Sequence, residues 1–217
     1  MKQVEGFWLP DDEQHLVDFL NRGPRFAGGP TYQIHKLFAC LPWVRDFRHA
    51  VDIGAHCGLW SRPLAAMFEH VSAFEPVEEH RQCWRENARW FSFRNVATLH
   101  EFALGDRRDR VSLHSGPNSS GDTYVQAGGE HDANMVPLDD VTLPQIDFMK
   151  IDCEGFEFFI LKGGEKTIRR DRPCIIVEQK RGKGAQFGIG DHDAVKLLTS
   201  WGAQLRAEIS GDFILSW

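Results

Sequence analysis

Short apolar runs alternate along the chain with segments whose apolar residues recur at helical spacing. The apolar runs occupy residues 50–53, 70–75, 96–100, 146–152 and 173–178. Segments with helical spacing follow four of these runs, at residues 59–68, 77–90, 156–168 and 191–201. This alternation is typical of a parallel α/β sheet with helices on both faces. Two last apolar runs, 203–209 and 212–216, flank Ser210-Gly211 and predict a β-hairpin. The whole pattern therefore predicts a doubly wound sheet of seven strands.

The first 49 residues precede this alternation and predict a helical leader that serves as a lid. A helix is expected from residue 10 to Leu20, because acidic residues favour a helix start and the apolar residues that follow share one face. Helical spacing resumes over residues 32–41. We expect the remaining residues, 50–217, to form the ligand-binding domain.

The segment between residues 107 and 140 is rich in glycine and proline. Only 111–114 and 123–125 resemble strands, so we expect the least regular part of the chain here. Loops of this composition carry specificity more often than stability. Together with the leader, the segment is the candidate lid.

Composition narrows the class of protein. Hydrophobic residues make up 42% and aromatic residues 12%, which is enough for a substantial core. Acidic residues outnumber basic ones by 31 to 25, and this balance argues against binding to duplex nucleic acid. No apolar run has membrane-spanning length, and five cysteines without a Cys-x-x-Cys pair favour free thiols. We expect a cytoplasmic monomer or homodimer without a membrane partner.

A glycine-bearing turn follows the first predicted strand, with the pattern Asp52-x-Gly54-x-x-x-Gly58. Glycines allow a sharp turn and close approach of a ligand, and the next helix offers free N–H groups to a carboxylate or phosphate. A glycine pair between strand and helix is also common in packing, so it is a weak signal alone. His56 replaces the middle glycine of the dinucleotide pattern and would crowd a pyrophosphate. A ligand with an amino-acid carboxylate fits this turn better.

Glu75 ends the second predicted strand, about twenty residues beyond the turn. An acidic residue at this place accepts hydrogen bonds from the ribose hydroxyls of adenosine-containing ligands. A lone glutamate would more often be an exposed strand end, but the preceding turn favours the nucleoside interpretation. Its charge would repel a 2′-phosphate.

Three carboxylates, Asp152, Glu154 and Glu157, follow the fourth predicted strand within six residues. Their mutual repulsion requires partners or a function. Asp152 closes a buried strand and is expected beside the reactive group of a bound cofactor, where it or Glu154 would accept a proton. The alternative is that Glu154 and Glu157 are favourable anions in the first turn of a helix.

Glu178 ends the fifth predicted strand and is expected to neighbour Asp152. Two such carboxylates can share a divalent cation. They can equally form ion pairs with Lys150 or Lys180, and nothing in the sequence demands a metal. We therefore predict catalytic roles for Asp152, Glu154 and Glu178; a divalent metal is possible here but is not predicted.

Several motifs resemble, in order and spacing, the FkbM family of S-adenosylmethionine-dependent methyltransferases. The likeness runs from about residue 50 to residue 178, and Lys-Ile-Asp-Cys-Glu-Gly-Phe-Glu is its most specific part. The C-terminal residues and Thr31-Tyr32-Gln33 are similar to a short subgroup found in phage and bacterial genomes. The motifs are Val-Asp-Ile-Gly-Ala-His-Cys-Gly-Leu-Trp-Ser at 51–61, Phe-Glu-Pro at 74–76, Phe-Ala-Leu-Gly-Asp at 102–106, Leu-Asp-Asp at 138–140 and Met-Lys-Ile-Asp-Cys-Glu-Gly-Phe-Glu at 149–157.

The resemblance implies a Rossmann-like methyltransferase fold with strand order 3-2-1-4-5-7-6 and an antiparallel seventh strand. It implies S-adenosylmethionine as cofactor, with the glycine turn at the methionine part, Glu75 at the ribose and residues 102–104 at the adenine. The cofactor-binding residues expected on this basis are Gln33, Asp52, Gly54, Ala55, His56, Gly58, Ser61, Glu75, Pro76, Phe102, Ala103, Leu104 and Asp152.

The activity implied is O-methylation of a small-molecule or saccharide hydroxyl by in-line displacement. A nicotinamide-dependent oxidoreductase is one alternative, disfavoured by His56 and by the lack of a Tyr-x-x-x-Lys pair. A non-catalytic cofactor-binding module that contacts a partner through residues 107–137 is another. Nucleic-acid methylation is weakened by the acidic balance and by the absence of an Asp/Asn-Pro-Pro-Tyr/Phe motif.

Overall fold

A twisted sheet of seven strands forms the centre of the computed structural model, which describes residues 1–116 and 119–217. The strands are β1 His49–Ile53, β2 His70–Phe74, β3 Ala97–His100, β4 Phe148–Ile151, β5 Cys174–Glu178, β6 Gln204–Ile209 and β7 Asp212–Ser216. Their order in the sheet is β3-β2-β1-β4-β5-β7-β6. Strands β1 to β5 are parallel, whereas β7 is antiparallel to β5 and β6 is antiparallel to β7. The predicted fold class is confirmed.

Two hydrophobic clusters cover the two faces of this sheet. Alternate residues of a strand face opposite sides, so Ala50 of β1 belongs to one cluster and Val51 to the other. Every residue of β1, β4 and β5 is buried, which explains why these strands appear in the sequence as continuous apolar runs. The helices are α1 His15–Arg22, α2 Ile34–Cys40, α3 Ser61–Ala65, α4 Glu78–Trp90, α5 Glu157–Gly163, α6 Glu165–Asp171 and α7 Asp193–Ser200. In the described part of the chain, none of them has the length and apolar character needed to cross a membrane.

The single helix expected over residues 156–168 is wrong, because the chain forms two helices, α5 and α6, that meet at Gly164. Gly163 lies against the backbone of Gly105, where an added Cβ would come within 1.8 Å of the Gly105 carbonyl oxygen. This close contact fixes the end of α5. The apolar spacing continues across the break, so the pattern alone does not reveal it.

The sequence predicts a helical leader, but the structure shows that the leader contains two hairpins besides α1 and α2. Lys2–Val4 pairs with Phe7–Leu9, and Arg25–Phe26 pairs with Gly29–Pro30. Arg62 of α3 is 3% exposed and donates hydrogen bonds to four backbone carbonyls of the second hairpin. These bonds fasten the leader to the central domain.

The segment expected to be least regular forms a second sheet instead. Its four strands have the order Tyr124–Val125, Asp109–His114, His131–Val136 and Ala103–Leu104. The strand His131–Val136 buries only Ala133 and Met135, so its alternation is weak in the sequence. Residues 117 and 118 of the expected lid lie outside the described residues.

Candidate functional site

Two adjoining pockets open at the carboxyl ends of β1, β2 and β4, where ligands bind in doubly wound sheets. They contain about 620 and 910 Å³ of empty space, open mouths included. Gly54, His56, Gly121 and Asp152 line both pockets and mark their common boundary.

The first pocket has apolar walls and one buried carboxylate, that of Glu75 at the end of β2. Glu75 is 4% exposed, and its Oε2 accepts a hydrogen bond from the His56 backbone N–H at 2.8 Å. Its Oε1 accepts from the Val77 N–H at 2.9 Å and lies 3.2 Å from His80 Nδ1. Burial alone would raise the pKa of Glu75, but His80 and the two backbone donors hold it below its usual value. Glu75 is therefore ionised, and Oε2 keeps a free lone pair.

The glycine turn after β1 brings the ends of β1 and β4 into contact. Gly54 has φ of +74°, and an added Cβ would come within 2.0 Å of the Asp152 carbonyl oxygen. Only glycine is compatible with this approach. His56 also has a left-handed backbone, with φ of 49°, and so do Gln33 and Glu154 at the second pocket. Non-glycine residues rarely adopt this conformation, and it clusters at functional sites.

Asp52 and Ser61 lie beneath the pockets and line neither of them. Both are fully buried, and Ser61 Oγ donates to Asp52 Oδ2 at 2.7 Å. Lys150 of β4 lies beside them, with Nζ 3.6 Å from Asp52 Oδ1 and donating to the Gly54 carbonyl at 2.8 Å. The sequence prediction of direct cofactor contact for Asp52 and Ser61 does not match this placement. They support the turn from below.

Three carboxylates meet in the second pocket, where Asp152, Glu154 and Glu178 each bring one oxygen within 4.8 Å of the others. This spacing suits a divalent cation, but lysine ammonium groups contact the same carboxylates. Lys180 Nζ lies 2.7 Å from Glu178 Oε1, and Lys150 Nζ lies 3.6 Å from Asp152 Oδ2. These are the lysine contacts that the sequence offered as the alternative to a metal.

Glu154 and Glu157 have different surroundings. Lys183 Nζ is 2.6 Å from Glu154 Oε2. Glu157 begins α5, and its Oε1 accepts hydrogen bonds from the backbone N–H groups of Cys153 and Gly155. Glu157 therefore lies in the first turn of a helix, as the alternative expected, but Glu154 precedes that helix. Burial raises the pKa of Glu157 to about 7, so this group is only partly ionised near neutral pH.

Asp152 and Glu178 titrate as a pair. Burial, followed by the charges of Asp152 and Glu154, raises the pKa of Glu178 to about 9. Burial also opposes ionisation of Asp152, but Lys150, Lys180 and a hydrogen bond with Glu178 hold its pKa below the usual value. Near neutral pH the pair therefore carries one proton, on Glu178, and Asp152 is a carboxylate.

Most of the predicted site residues are brought together. The first pocket contains Gly54, His56, Glu75, Pro76, Phe102, Ala103, Leu104 and Asp152. The second contains Gln33, Ala55, Glu154 and Glu178 in addition to the shared residues. Gly58 lines neither pocket and instead faces Trp84, with an added Cβ only 3.0 Å from the ring.

Other pocket residues were missed by sequence reasoning. His80 and Ser120 line the first pocket, whereas Tyr32 and Trp60 line the second. Lys180, which the sequence suggests only as an ion-pair partner, also lines the second. Trp60 lies within the quoted motif at 51–61, and its position there was the available signal. His80 and Ser120 carry no such signal, since their roles depend on contacts with distant parts of the chain.

The fold and the paired pockets define this protein as having a Rossmann-like methyltransferase architecture. The family model for the methyltransferase FkbM domain matches residues 52–205. The chain belongs to the FkbM methyltransferase family, and the resemblance found in the motifs is confirmed.

Solved structures share the fold at low sequence identity. The FkbM methyltransferase from Methylobacillus flagellatus KT is 21% identical with a TM-score of 0.57, covering 78% of this chain and 43% of that protein. The precorrin 8w decarboxylase from Methanobacterium thermoautotrophicum is 18% identical with a TM-score of 0.55, and each chain is covered completely. The O-methyltransferase from Bacillus cereus in complex with SAH is 15% identical with a TM-score of 0.53, covering 85% of this chain and 80% of that one. This chain thus spans less than half of the Methylobacillus protein. A comparison with curated protein sequences finds no match.

Proposed function

We propose that this protein transfers the methyl group of S-adenosylmethionine to a hydroxyl group of a small molecule or saccharide. The observation that carries the proposal is the position of Asp152, an ionised carboxylate that lines both pockets at their boundary. A group at this boundary can reach a cofactor in one pocket and an acceptor in the other.

The first pocket fits the cofactor. The aromatic and aliphatic side chains of residues 102–104 suit an adenine, and Glu75 Oε2 has acceptor capacity for a ribose hydroxyl. The Gly54 turn offers backbone without a Cβ beside Asp152, where the methionine part would lie. S-adenosylmethionine supplies a methyl group that is activated by its positive sulfonium. The work left to the protein is alignment, exclusion of water and removal of one proton.

Asp152 takes up the proton that the acceptor hydroxyl loses as its oxygen forms the bond to carbon. Because Glu178 holds the proton of the pair, Asp152 is free to act as base near neutral pH. Lys150 lies 3.6 Å from Asp152 and keeps it ionised in the absence of an acceptor. Glu154 neighbours Asp152 and Glu178 and has its own partner in Lys183, so it contributes charge to the cluster.

The second pocket favours a hydroxylated acceptor. It combines hydrogen-bonding groups from Gln33, Glu154 and Lys180 with the aromatic side chains of Tyr32 and Trp60. Aromatic faces beside polar groups suit the alternating apolar faces and hydroxyl groups of a saccharide. His15 and Leu16 of the leader also line this pocket, so residues 1–49 act as part of its lid, over the cofactor-binding domain of residues 50–217.

Two measurements test the proposal. Calorimetry with S-adenosylhomocysteine should show binding to the wild-type protein and a roughly tenfold to hundredfold weaker affinity for Glu75→Gln, since a charge-assisted hydrogen bond contributes about 1.5–3 kcal/mol. The exposed Glu79 offers the matched control Glu79→Gln, for which we expect unchanged affinity.

A labelled-methyl transfer assay with a panel of saccharide and small-molecule alcohols tests the chemistry. Asp152→Asn should bind S-adenosylhomocysteine but lose transfer. Full activity of this variant would refute the role of Asp152. Binding of the cofactor product without transfer to any acceptor of a broad panel would favour a non-catalytic binding module.

A further inference from the structure

Glu13 of the leader is a completely buried carboxylate. Its Oε1 accepts a hydrogen bond from the Leu16 N–H at 2.9 Å, at the start of α1. Its Oε2 accepts from both the N–H of Ser120, at 2.8 Å, and the Ser120 hydroxyl, at 2.6 Å. Within residues 1–116 and 119–217, no lysine, arginine or histidine forms an ion pair with it. The carboxylate is therefore held by N–H and O–H donors alone, and Ser120 supplies two of the three.

Ser120 continues this contact into the site. Its Oγ lies 2.8 Å from His56 Nε2. Because the single hydroxyl hydrogen points to Glu13, Oγ accepts from a protonated Nε2, which fixes the tautomer of His56. The backbone N–H of His56 in turn donates to Glu75 Oε2. Four residues from four separate parts of the chain thus form one hydrogen-bonded series, Glu13–Ser120–His56–Glu75.

The series lies over the two pockets. Ser120 lines the first pocket, Gly121 lines both and Leu16 lines the second. The Ser120 contact with Glu13 joins the segment that follows residue 107 to the leader, across 107 positions of the chain. Separation of Ser120 from Glu13 would expose both pockets where Ser120, Gly121 and Leu16 line them. It would also release the side chain of His56.

We propose that Glu13 is a positioning residue that latches the segment 119–125 over the cofactor pocket and, through Ser120 and His56, holds the glycine turn against Glu75. The latch closes when Ser120 donates to the carboxylate, and it opens when water replaces these two donors. The role in cofactor retention rests on the proposed function. The contact itself does not depend on it.

Hydrogen exchange of the ligand-free protein tests the contact first. The variants are Glu13→Gln, which replaces one acceptor oxygen by a donor, and Ser120→Ala, which removes only the hydroxyl bonds. Asp12→Asn is the matched control, because Asp12 is the exposed neighbour and loses the same charge. Glu13→Gln should accelerate exchange of backbone amides in residues 119–125. Urea unfolding checks that this variant is still folded, so that the faster exchange is local. Ser120→Ala should give a smaller effect and Asp12→Asn none.

Dissociation of S-adenosylhomocysteine, followed by stopped-flow tryptophan fluorescence, tests the positioning role. We expect Glu13→Gln to raise the dissociation rate by about tenfold or more, the scale of one charge-assisted hydrogen bond, and to change the association rate much less. A dissociation rate within twofold of wild type would overturn the positioning role, and unchanged exchange in residues 119–125 would overturn the latch itself. If the wild-type protein does not bind S-adenosylhomocysteine, the proposed function fails along with the positioning role. The exchange result then still decides whether the latch exists.

Discussion

The raised pKa of Glu178 has a measurable consequence for stability. Glu178 is 4% exposed, and its pKa is about 9 in the folded protein against a reference value of 4.5. The folded protein therefore holds a proton on Glu178 over a pH range in which the unfolded chain has lost it. The stability associated with this proton is complete below about pH 4.5 and is lost as the pH rises towards 9. Glu178→Gln keeps the shape of the protonated group but cannot titrate.

The size of the effect follows from linkage. Between pH 6 and pH 8 the wild-type protein has about one more proton on Glu178 when folded than when unfolded, so this residue lowers the free energy of unfolding by about 1.4 kcal/mol per pH unit. The total over this interval is about 3 kcal/mol. Asp152 titrates with Glu178, but it is ionised throughout this interval and the glutamine amide can donate to it as the protonated glutamate does. The other buried acids contribute equally to the wild-type protein and the variant. The difference between the two proteins therefore isolates Glu178.

Urea unfolding at pH 6, 7 and 8 measures this difference. Relative to wild type, Glu178→Gln should gain stability steadily with pH, by about 2–3 kcal/mol over the interval. The exposed Glu69 provides the control Glu69→Gln, whose difference from wild type should not change with pH. A constant difference between Glu178→Gln and wild type would show that Glu178 is ionised at neutral pH, and the assignment of the shared proton would be wrong.

Three further outcomes follow from the structure. Gly54→Ala should destabilise the protein by about 3 kcal/mol or more, because the added Cβ would lie 2.0 Å from the Asp152 carbonyl oxygen. Thermal unfolding measures this loss, and a change under about 1 kcal/mol would contradict the contact. Arg62→Met should lower the free energy of unfolding, measured in urea, by about 2–4 kcal/mol, because four carbonyl groups of the leader lose their hydrogen-bond donor. An almost unchanged free energy of unfolding would mean that other contacts hold the leader to the central domain. Methyl transfer should be unchanged by EDTA and by added magnesium, because lysine ammonium groups already contact Asp152, Glu154 and Glu178. Loss of activity in EDTA would instead support a metal among these three residues.

The strands and the strand-end carboxylates could be predicted from the sequence because each signal is local. A buried parallel strand must be apolar on both faces, and topology then brings the residues after each strand to one edge of the sheet. Glu75, Asp152 and Glu178 were placed at the site by this reasoning alone. The glycine turn was also local, since Gly54 and its neighbours follow a strand directly.

Other features depend on contacts that no local pattern contains. The second sheet is built on the antiparallel pairing of Asp109–His114 with His131–Val136, although the latter segment looks polar, and Ala103–Leu104 joins it in parallel. The break between α5 and α6 depends on the approach of Gly163 to Gly105. Asp52 was expected to contact the cofactor, but the three-dimensional packing of β1 buries it against Ser61 and Lys150.

The charges of the site can be added only once these partners are known. Five carboxylates and three ammonium groups lie in, beneath or beside the second pocket, and Glu178 carries a proton, so the group has a small net negative charge near pH 7. They are Asp52, Asp122, Asp152, Glu154, Glu178, Lys150, Lys180 and Lys183. A weakly anionic site attracts a cationic methyl donor, and a charge this small does not bind the donor so strongly that the donor is stabilised against reaction.

The same balance holds after transfer in the proposed reaction. The positive charge lost at the sulfonium is replaced by the proton that Asp152 receives, so the total charge of donor and site is unchanged. Removing one ammonium should disturb this balance. Lys180→Met would increase the excess of carboxylates and raise the pKa of Asp152, because Lys180 is one of the cations that lower it. The acid limb of the pH–rate profile should then move to higher pH, and an unmoved limb would show that Asp152 is not the base.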